Sequence, residues 1–160
     1  MIIRNATQSD SGYIADYIME AMEDIVYEFI GKNDQKSAKD FLLHFAKREN
    51  NQYSYQNCVV AQEGDEIIGA INVYDGAMLG ELRAPIAQYI KTQHHKEFNP
   101  EDETQSGEYY IDSFGVKSDL QGKGIGTKLL QHVIDEYVNK NHQTLGLLVD
   151  EDKPLAKRLY

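Results

Sequence analysis

Tryptophan is absent from the sequence, cysteine occurs once and proline three times among 160 residues. The lone Cys58 excludes an internal disulfide and fits a reducing compartment. No apolar run approaches the roughly 20 residues that a membrane-spanning helix needs. The opening Met1-Ile2-Ile3-Arg4 leads straight into polar sequence, without the apolar core of a secretory leader. A cytoplasmic location with no membrane partner is the expectation. Positive charge is also short: 16 Lys and Arg face 26 Asp and Glu, a formal net charge of -10. That balance repels phosphate backbones, so no nucleic-acid partner is expected. His44, His94, His95, His132 and His142 show no metal-ligand spacing, and no metal site is expected.

What remains is ordinary for a globular chain, with 41% hydrophobic and 26% charged residues. The length fits a single domain over 1–160. Ile2 to Ala6 reads as a strand, and Thr7 to Asp10 as a cluster of helix-capping residues. Ile14, Tyr17, Ile18, Met22, Ile25, Val26 and Phe29 then recur at helical spacing up to a break at Gly31. Ser37 is placed to cap a second helix with the stripe Phe41, Leu42, Phe45 and Ala46. Glu49 to Gln56 reads as a polar loop, and the strands 57–61 and 67–74 form a hairpin. Leu79, Leu82, Ile86, Tyr89 and Ile90 suggest a helix, with Pro85 in its first turn or kinking it. The acidic stretch from Phe98 to Gly107 reads as an exposed loop.

The informative block begins at a strand, Tyr109 to Val116. An amphipathic helix of about four turns opens at Gly124, carrying Ile125, Leu129, Leu130, Val133, Ile134, Tyr137 and Val138. A further strand, 144–149, and a last helix beginning at Lys153-Pro154 follow. Between the first strand and helix of this block lies Gln121-Gly122-Lys123-Gly124-Ile125-Gly126. Glycine lets the backbone take positive φ and lets a ligand approach the main chain. The first amides of the next helix have no intrahelical partner and lie at its positive end, which makes an anion site suited to a pyrophosphate. A Walker A loop would need Gly-Lys-Ser/Thr, and a dinucleotide fingerprint would need Gly-x-Gly-x-x-Gly. Neither spacing is present. The pattern that fits is Gln-x-x-Gly-x-Gly at Gln121, Gly124 and Gly126.

With the run from Tyr110 to Leu130 around it, this pattern resembles the GNAT superfamily of N-acetyltransferases, and the order of elements extends the resemblance over the whole chain. The resemblance implies an α/β (α+β) fold, β-α-α-β-β-β-α-β-α, with a mostly antiparallel sheet splayed between strands four and five. It also implies two further strands beyond Tyr160 that this sequence lacks. The implied reaction is direct transfer of acetyl from acetyl-CoA to an amine. Phe114, Gly115 and Val116 would pair with the pantetheine arm, and an amide near Gly115 or Val116 would bind the oxyanion. The amides of Gln121, Gly122, Lys123, Gly124, Ile125, Gly126 and Thr127 would hold the pyrophosphate. Tyr160, at the end of Ala156-Lys157-Arg158-Leu159-Tyr160, would protonate the leaving thiolate, although Lys153 stands where the family motif has asparagine.

An amine nucleophile needs a base. Alternation places Glu108, Tyr110, Asp112 and Phe114 on one face of the fourth strand. Where some members carry a base glutamate this chain has Tyr110, so Asp112 or Glu108 substitutes, or water serves. Tyr27, Tyr74, Leu82 and Arg83 are expected to flank the acceptor, a small molecule or peptide amine, and a homodimer is compatible with the family. Two rival readings stand beside this one: a non-catalytic acyl-CoA sensor and a phosphate-loop nucleotide binder. For single residues the bland readings are a solvated strand-end carboxylate for Asp112 or Glu108, a core tyrosine for Tyr160, and a buried small hydrophobe for Cys58.

Overall fold

The short turn at Gly64-Asp65 closes the expected hairpin of β2 (Cys58–Glu63) and β3 (Glu66–Asp75) in this computed structural model, which describes residues 1–148. Around the hairpin stand β1 (Ile2–Asn5), β4 (Tyr109–Val116) and β5 (Leu145–Leu147), in the spatial order β1-β2-β3-β4-β5. The pairs β1–β2, β2–β3 and β3–β4 are antiparallel, and β4–β5 is parallel. Pairing of β4 with β5 runs only from Tyr109↔Leu145 to Ile111↔Leu147. Beyond Ile111 the edge of β4 has no strand beside it among the described residues, which is the opening expected between strands four and five. The implied last helix, with Tyr160, lies outside the described residues.

Helices cover both faces. On one lie α1 (Ser11–Ile30), α2 (Gln35–Ala46) and α3 (Leu79–His94), and on the other α4 (Ile125–Val133). The strands alternate between the two resulting cores. Val60 and Ile67 pack with Ile14, Ile18, Phe41, Leu42 and Ile86, while Val59, Ile68 and Ile71 pack with Leu129 and Val133. Burying one such aliphatic side chain contributes about 1.5–3 kcal/mol, so these two stripes rather than helix propensity hold the layers together.

Several local expectations are corrected by the tertiary structure. Asp34, not Ser37, is the N-cap of α2, and Ser37 donates its hydroxyl to the Asp34 carboxylate. The helix α3 runs continuously through Pro85, beyond its first turn. Pro85 and Glu81 are exposed, so the carbonyl that proline leaves without an amide faces water. The predicted four-turn helix is α-helical only to Val133 and continues as a π-helical segment, Ile134–Lys140. The helix α1 breaks at Met22 (φ -143°, ψ 35°), with neither Pro nor Gly nearby to announce it.

Two larger differences shape the site. The polar stretch 49–56 is irregular as expected, but Asn51, Gln52, Tyr53 and Ser54 in it are all buried. Asn51 supplies the bonds that make this tolerable, donating to Phe45 O and accepting from Tyr53 N–H. Secondly, a β-bulge interrupts β4. Ile111 pairs with Val73 and Ser113 with Asn72, which leaves Asp112 as the extra residue. A bulge resets the side-chain alternation. Tyr110 therefore packs with Tyr74 and Leu79, whereas Phe114 packs on the α4 side with the Leu129 core. Phe114 does not share a face with Tyr110 and Asp112, because simple alternation fails at the bulge.

Candidate active site

At the bulge Asp112 is half-buried, and two side chains converge on one of its oxygens. Gln52 Nε2 donates to Oδ2 at 2.9 Å and the Tyr74 hydroxyl donates to the same atom at 3.2 Å. Gln52 Nε2 also donates to Tyr74 Oη at 3.1 Å, closing a triangle. Burial pushes the Asp112 carboxyl up to about 6; the bond from Gln52 opposes the rise, the Glu103 charge adds to it, and Tyr74 and Arg83 oppose it. Desolvation wins because the hydrogen bonds replace only part of the lost hydration. A carboxylate in that range is charged at neutral pH yet basic enough to take a proton.

Asp112 opens onto a cavity of about 200 Å³. Its lining falls into an apolar wall from the broken half of α1 (Met22, Ile25, Phe29) and a polar wall of Gln52, Arg83, Glu103 and Asp112. Phe98, Pro100 and Leu148 complete it with Tyr53 and Tyr110. The break at Met22 is thus placed where α1 meets the cavity.

The stretch 98–107 is the loop expected and is mostly exposed, but the segment 96–108 that contains it is anchored as a strap across this end of the molecule by a few residues. Phe98 meets Phe29 edge-on at 4.7 Å, and Lys96 Nζ donates to Glu28 O at 2.6 Å. Arg83 donates to Pro100 O, Glu101 O and Asp102 Oδ1. Tyr110 donates its hydroxyl to Glu103 Oε2 at 2.7 Å, and Thr104 is buried. Burial, then that bond to Glu103, holds the Tyr110 phenol far above its ordinary range, so it stays protonated. Where the strap meets β3, a Cβ on Gly76 would collide with Gln105 O, Thr104 Oγ1 and Glu108 O. Only glycine allows that close approach.

The sequence-predicted loop lies at the N-terminus of α4. Gly122 and Gly124 both have positive φ, 79° and 84°, and the space where their Cβ atoms would be is open. The first intrahelical bond is Lys128 N–H to Gly124 O, so the amides of Ile125, Gly126 and Thr127 precede it. Gln121 adds something the motif does not reveal: its Nε2 donates to Val116 O at 3.1 Å, fixing the loop against β4. Lys117 N–H donates to Ile68 O and Tyr109 N–H to Thr144 O. Counting from these two bonds, the amide of Gly115 faces β3 and that of Val116 faces the open edge. An anionic, extended cofactor such as acetyl-CoA fits this arrangement of open glycines, helix-terminal amides and strand edge.

The other expected residues are placed as follows. Glu108 accepts from Thr104 Oγ1 at 2.7 Å and lies against Gly146 of β5, outside the cavity lining. Arg83 lines the cavity; Tyr74 and Leu82 pack together with Tyr110 behind it. Tyr27, half-buried against the helical core, donates to Glu23 and is not among the lining residues. Gln52, Tyr53, Phe98 and Glu103 were missed by sequence reasoning. The available signal was a pair of aromatic residues, Tyr53 and Tyr55, inside an otherwise polar run. Cys58 is buried, with its thiol pushed up to about 12 by burial. Among the described residues no group of three or more His, Cys, Asp or Glu is arranged to hold a metal, and no helix is long and apolar enough to cross a membrane.

Comparison with known proteins follows the same lines. The model of the acetyltransferase (GNAT) family matches residues 19–160. No curated protein matches in sequence. A solved structure described as an acetyltransferase is similar over 100% of this chain and 86% of its own, with 27% identity and a TM-score of 0.81. An N-acetyltransferase from Staphylococcus aureus Mu50 is similar over 100% of this chain and 87% of its own, at 21% identity and a TM-score of 0.84. An aminoglycoside acetyltransferase from an uncultured soil metagenomic sample, solved in complex with sisomicin, shares the fold at 19% identity and a TM-score of 0.55, over 98% of this chain and 82% of its own.

Proposed function

We propose, given that the chain belongs to the GNAT family of acetyltransferases, that it transfers acetyl from acetyl-CoA to the amine of a small acceptor bound at Asp112. The observation that carries this reading is the convergence of Gln52 and Tyr74 on Asp112 Oδ2 beside a cavity. Both bonds fall on one oxygen, which leaves Oδ1 without a described partner and available to the acceptor.

When bound, acetyl-CoA supplies an activated thioester carbonyl. The chain's own groups do the rest. The amides of Ile125, Gly126 and Thr127, preceded by the two open glycines, suit the pyrophosphate. Gln121, through Val116 O, sets the angle between that loop and the strand edge. The Val116 N–H, directed to the open edge, is the donor we assign to the oxygen that gains charge, in preference to Gly115, whose amide is turned to β3. Asp112 takes the ammonium proton and so frees the lone pair that attacks. Of the two candidate carboxylates only Asp112 lines the cavity, so it is preferred to Glu108 as base. Proton return to the thiolate is assigned to Tyr160 on the family motif alone.

The test is release of free thiol from acetyl-CoA by the full-length protein across a panel of primary amines, for the wild type, Asp112→Asn and Tyr160→Phe. Turnover that depends on Asp112 supports the reading. Tight CoA binding without turnover of any amine would instead identify an acyl-CoA sensor. A response to ATP or NAD but not to CoA would sink both.

A further inference from the structure

Among the described residues, three buried side-chain polar atoms have no hydrogen-bond partner: Arg83 Nε, Gln52 Oε1 and Asn72 Oδ1. Two of the three belong to side chains lining the same cavity. One is a donor on a cation and the other is a neutral acceptor beside Asp112. A buried polar group left unpaired costs about 1–3 kcal/mol, so such groups mark places that a ligand can complete.

Arg83 is an unusual wall for an amine site. Its side chain is only 12% exposed, and its one ionic partner among the described residues, Asp102, is 80% exposed. An ion pair with so solvated a partner is weak and leaves much of the guanidinium charge uncompensated. Of its five N–H groups, three are accounted for, by Pro100 O, Glu101 O and Asp102 Oδ1. Among the described residues the Nε–H has no partner and the second Nη2 hydrogen has none; an arginine edge of this kind is suited to a planar two-oxygen anion. The opposite charge in the cavity comes from Asp112 and Glu103, with Gln52 Oε1 beside Asp112 as an uncharged acceptor. The remaining wall is apolar: Met22, Ile25, Phe29 and Phe98.

We propose, building on the acetyl-transfer reading above, that the acceptor is an α-amino acid with an apolar side chain. Its carboxylate pairs with the free edge of Arg83, its amine meets Asp112 and Gln52 Oε1, and its side chain packs on Phe29 and Phe98. A polyamine or aminoglycoside, which brings several cations and no anion, would leave Arg83 without a counter-charge from the ligand. The volume of about 200 Å³ agrees, since sites for drug-sized ligands begin at roughly 300 Å³.

The test compares phenylalanine and leucine with their decarboxylated counterparts, phenethylamine and isoamylamine, on the full-length protein. Thiol release gives kcat/KM, and calorimetry in the presence of CoA gives acceptor affinity. The carboxylated acceptors are expected to be preferred by about 30-fold, the weight of a charge-assisted hydrogen-bonded pair. Arg83→Met, which also gives up the three bonds to the strap, should lower use of every acceptor but cost the carboxylated ones more, so that the preference disappears, and Arg83→Lys should retain part of it. Equal use of both acceptor classes by the wild type overturns the inference without touching acetyl transfer, as does an Arg83→Met loss shared equally by both classes. Turnover confined to polyamines or aminoglycosides likewise overturns it. Should Arg83→Met fail to fold, the wild-type comparison and Arg83→Lys still decide. Failure of every amine, with CoA bound or unbound, counts against the acetyl-transfer reading itself.

Discussion

The side-chain amide of Gln52 donates to Asp112 Oδ2 at 2.9 Å, joining residues 60 apart in sequence. Gln52 is buried in a segment without regular secondary structure, and Asp112 is the extra residue of a β-bulge. Each is locally irregular, and each is held in place by the other and by Tyr74.

This pairing makes the pH dependence of acetyl transfer a direct probe. Asp112 works ionised, and its carboxyl is pushed up to about 6. Activity should therefore rise with pH through about 6 and level off above it. Asp112→Asn should lower kcat/KM by about 10²–10⁴-fold, the usual worth of a general base. The bonds from Gln52 and Tyr74 favour the charged form, so Gln52→Leu and Tyr74→Phe should move the limb to higher pH. A limb that stays in place in both variants would deny them this role.

The same carboxyl leaves a signature in stability. Its folded value of about 6 lies above the unfolded carboxylate range, near 3.9. Between those values the folded state holds a proton that the unfolded state has lost, so stability falls as pH rises through this window. Above about 6 the penalty is fully present, and below about 4 it is absent. Thermal unfolding should find Asp112→Asn more stable than the wild type at pH 8, with the gap shrinking as pH falls to 4. A gap independent of pH would refute the shifted titration.

Gly124 offers a test of the cofactor loop. At φ 84° a Cβ is strained by about 1–2 kcal/mol even though the space around it is open. Gly124→Ala should weaken CoA binding in calorimetry by roughly 10-fold or more, since the amides must leave their positions. Gly80, at an open position in α3, is the control: alanine there should leave CoA affinity unchanged. Equal affinity for both variants would argue against the loop as the anion site.

Gly76 tests the strap. An added methyl meets two backbone carbonyls and the Thr104 hydroxyl, so the segment 96–108 must move. Gly76→Ala should lower the unfolding temperature and acceptor affinity, while CoA affinity holds because the loop at α4 is remote from this contact. Loss of both affinities together would show that the strap supports the whole domain rather than the acceptor wall.

The chain by itself determined the elements whose periodicity is unbroken and the loop whose chemistry is local. Glycines at 122 and 124, a strand before them and an amphipathic helix after them suffice, because positive φ and unpaired helix amides are short-range properties. Only the tertiary structure decided the acceptor end. The bulge at Asp112 turns Phe114 to the far face, and no residue type in Tyr109–Val116 announces it. Gln52 and Tyr53 read as loop because their run is polar and irregular, yet Leu82 O and Asn72 Nδ2 satisfy the Gln52 backbone and Asn51 Oδ1 accepts from Tyr53 N–H, which lets them be buried. Arg83 and Glu103 come together because Arg83, on α3, holds the strap at Asp102 while Tyr110, on β4, holds it at Glu103. Long-range hydrogen bonds and packing placed these groups, and a local pattern carries no record of them.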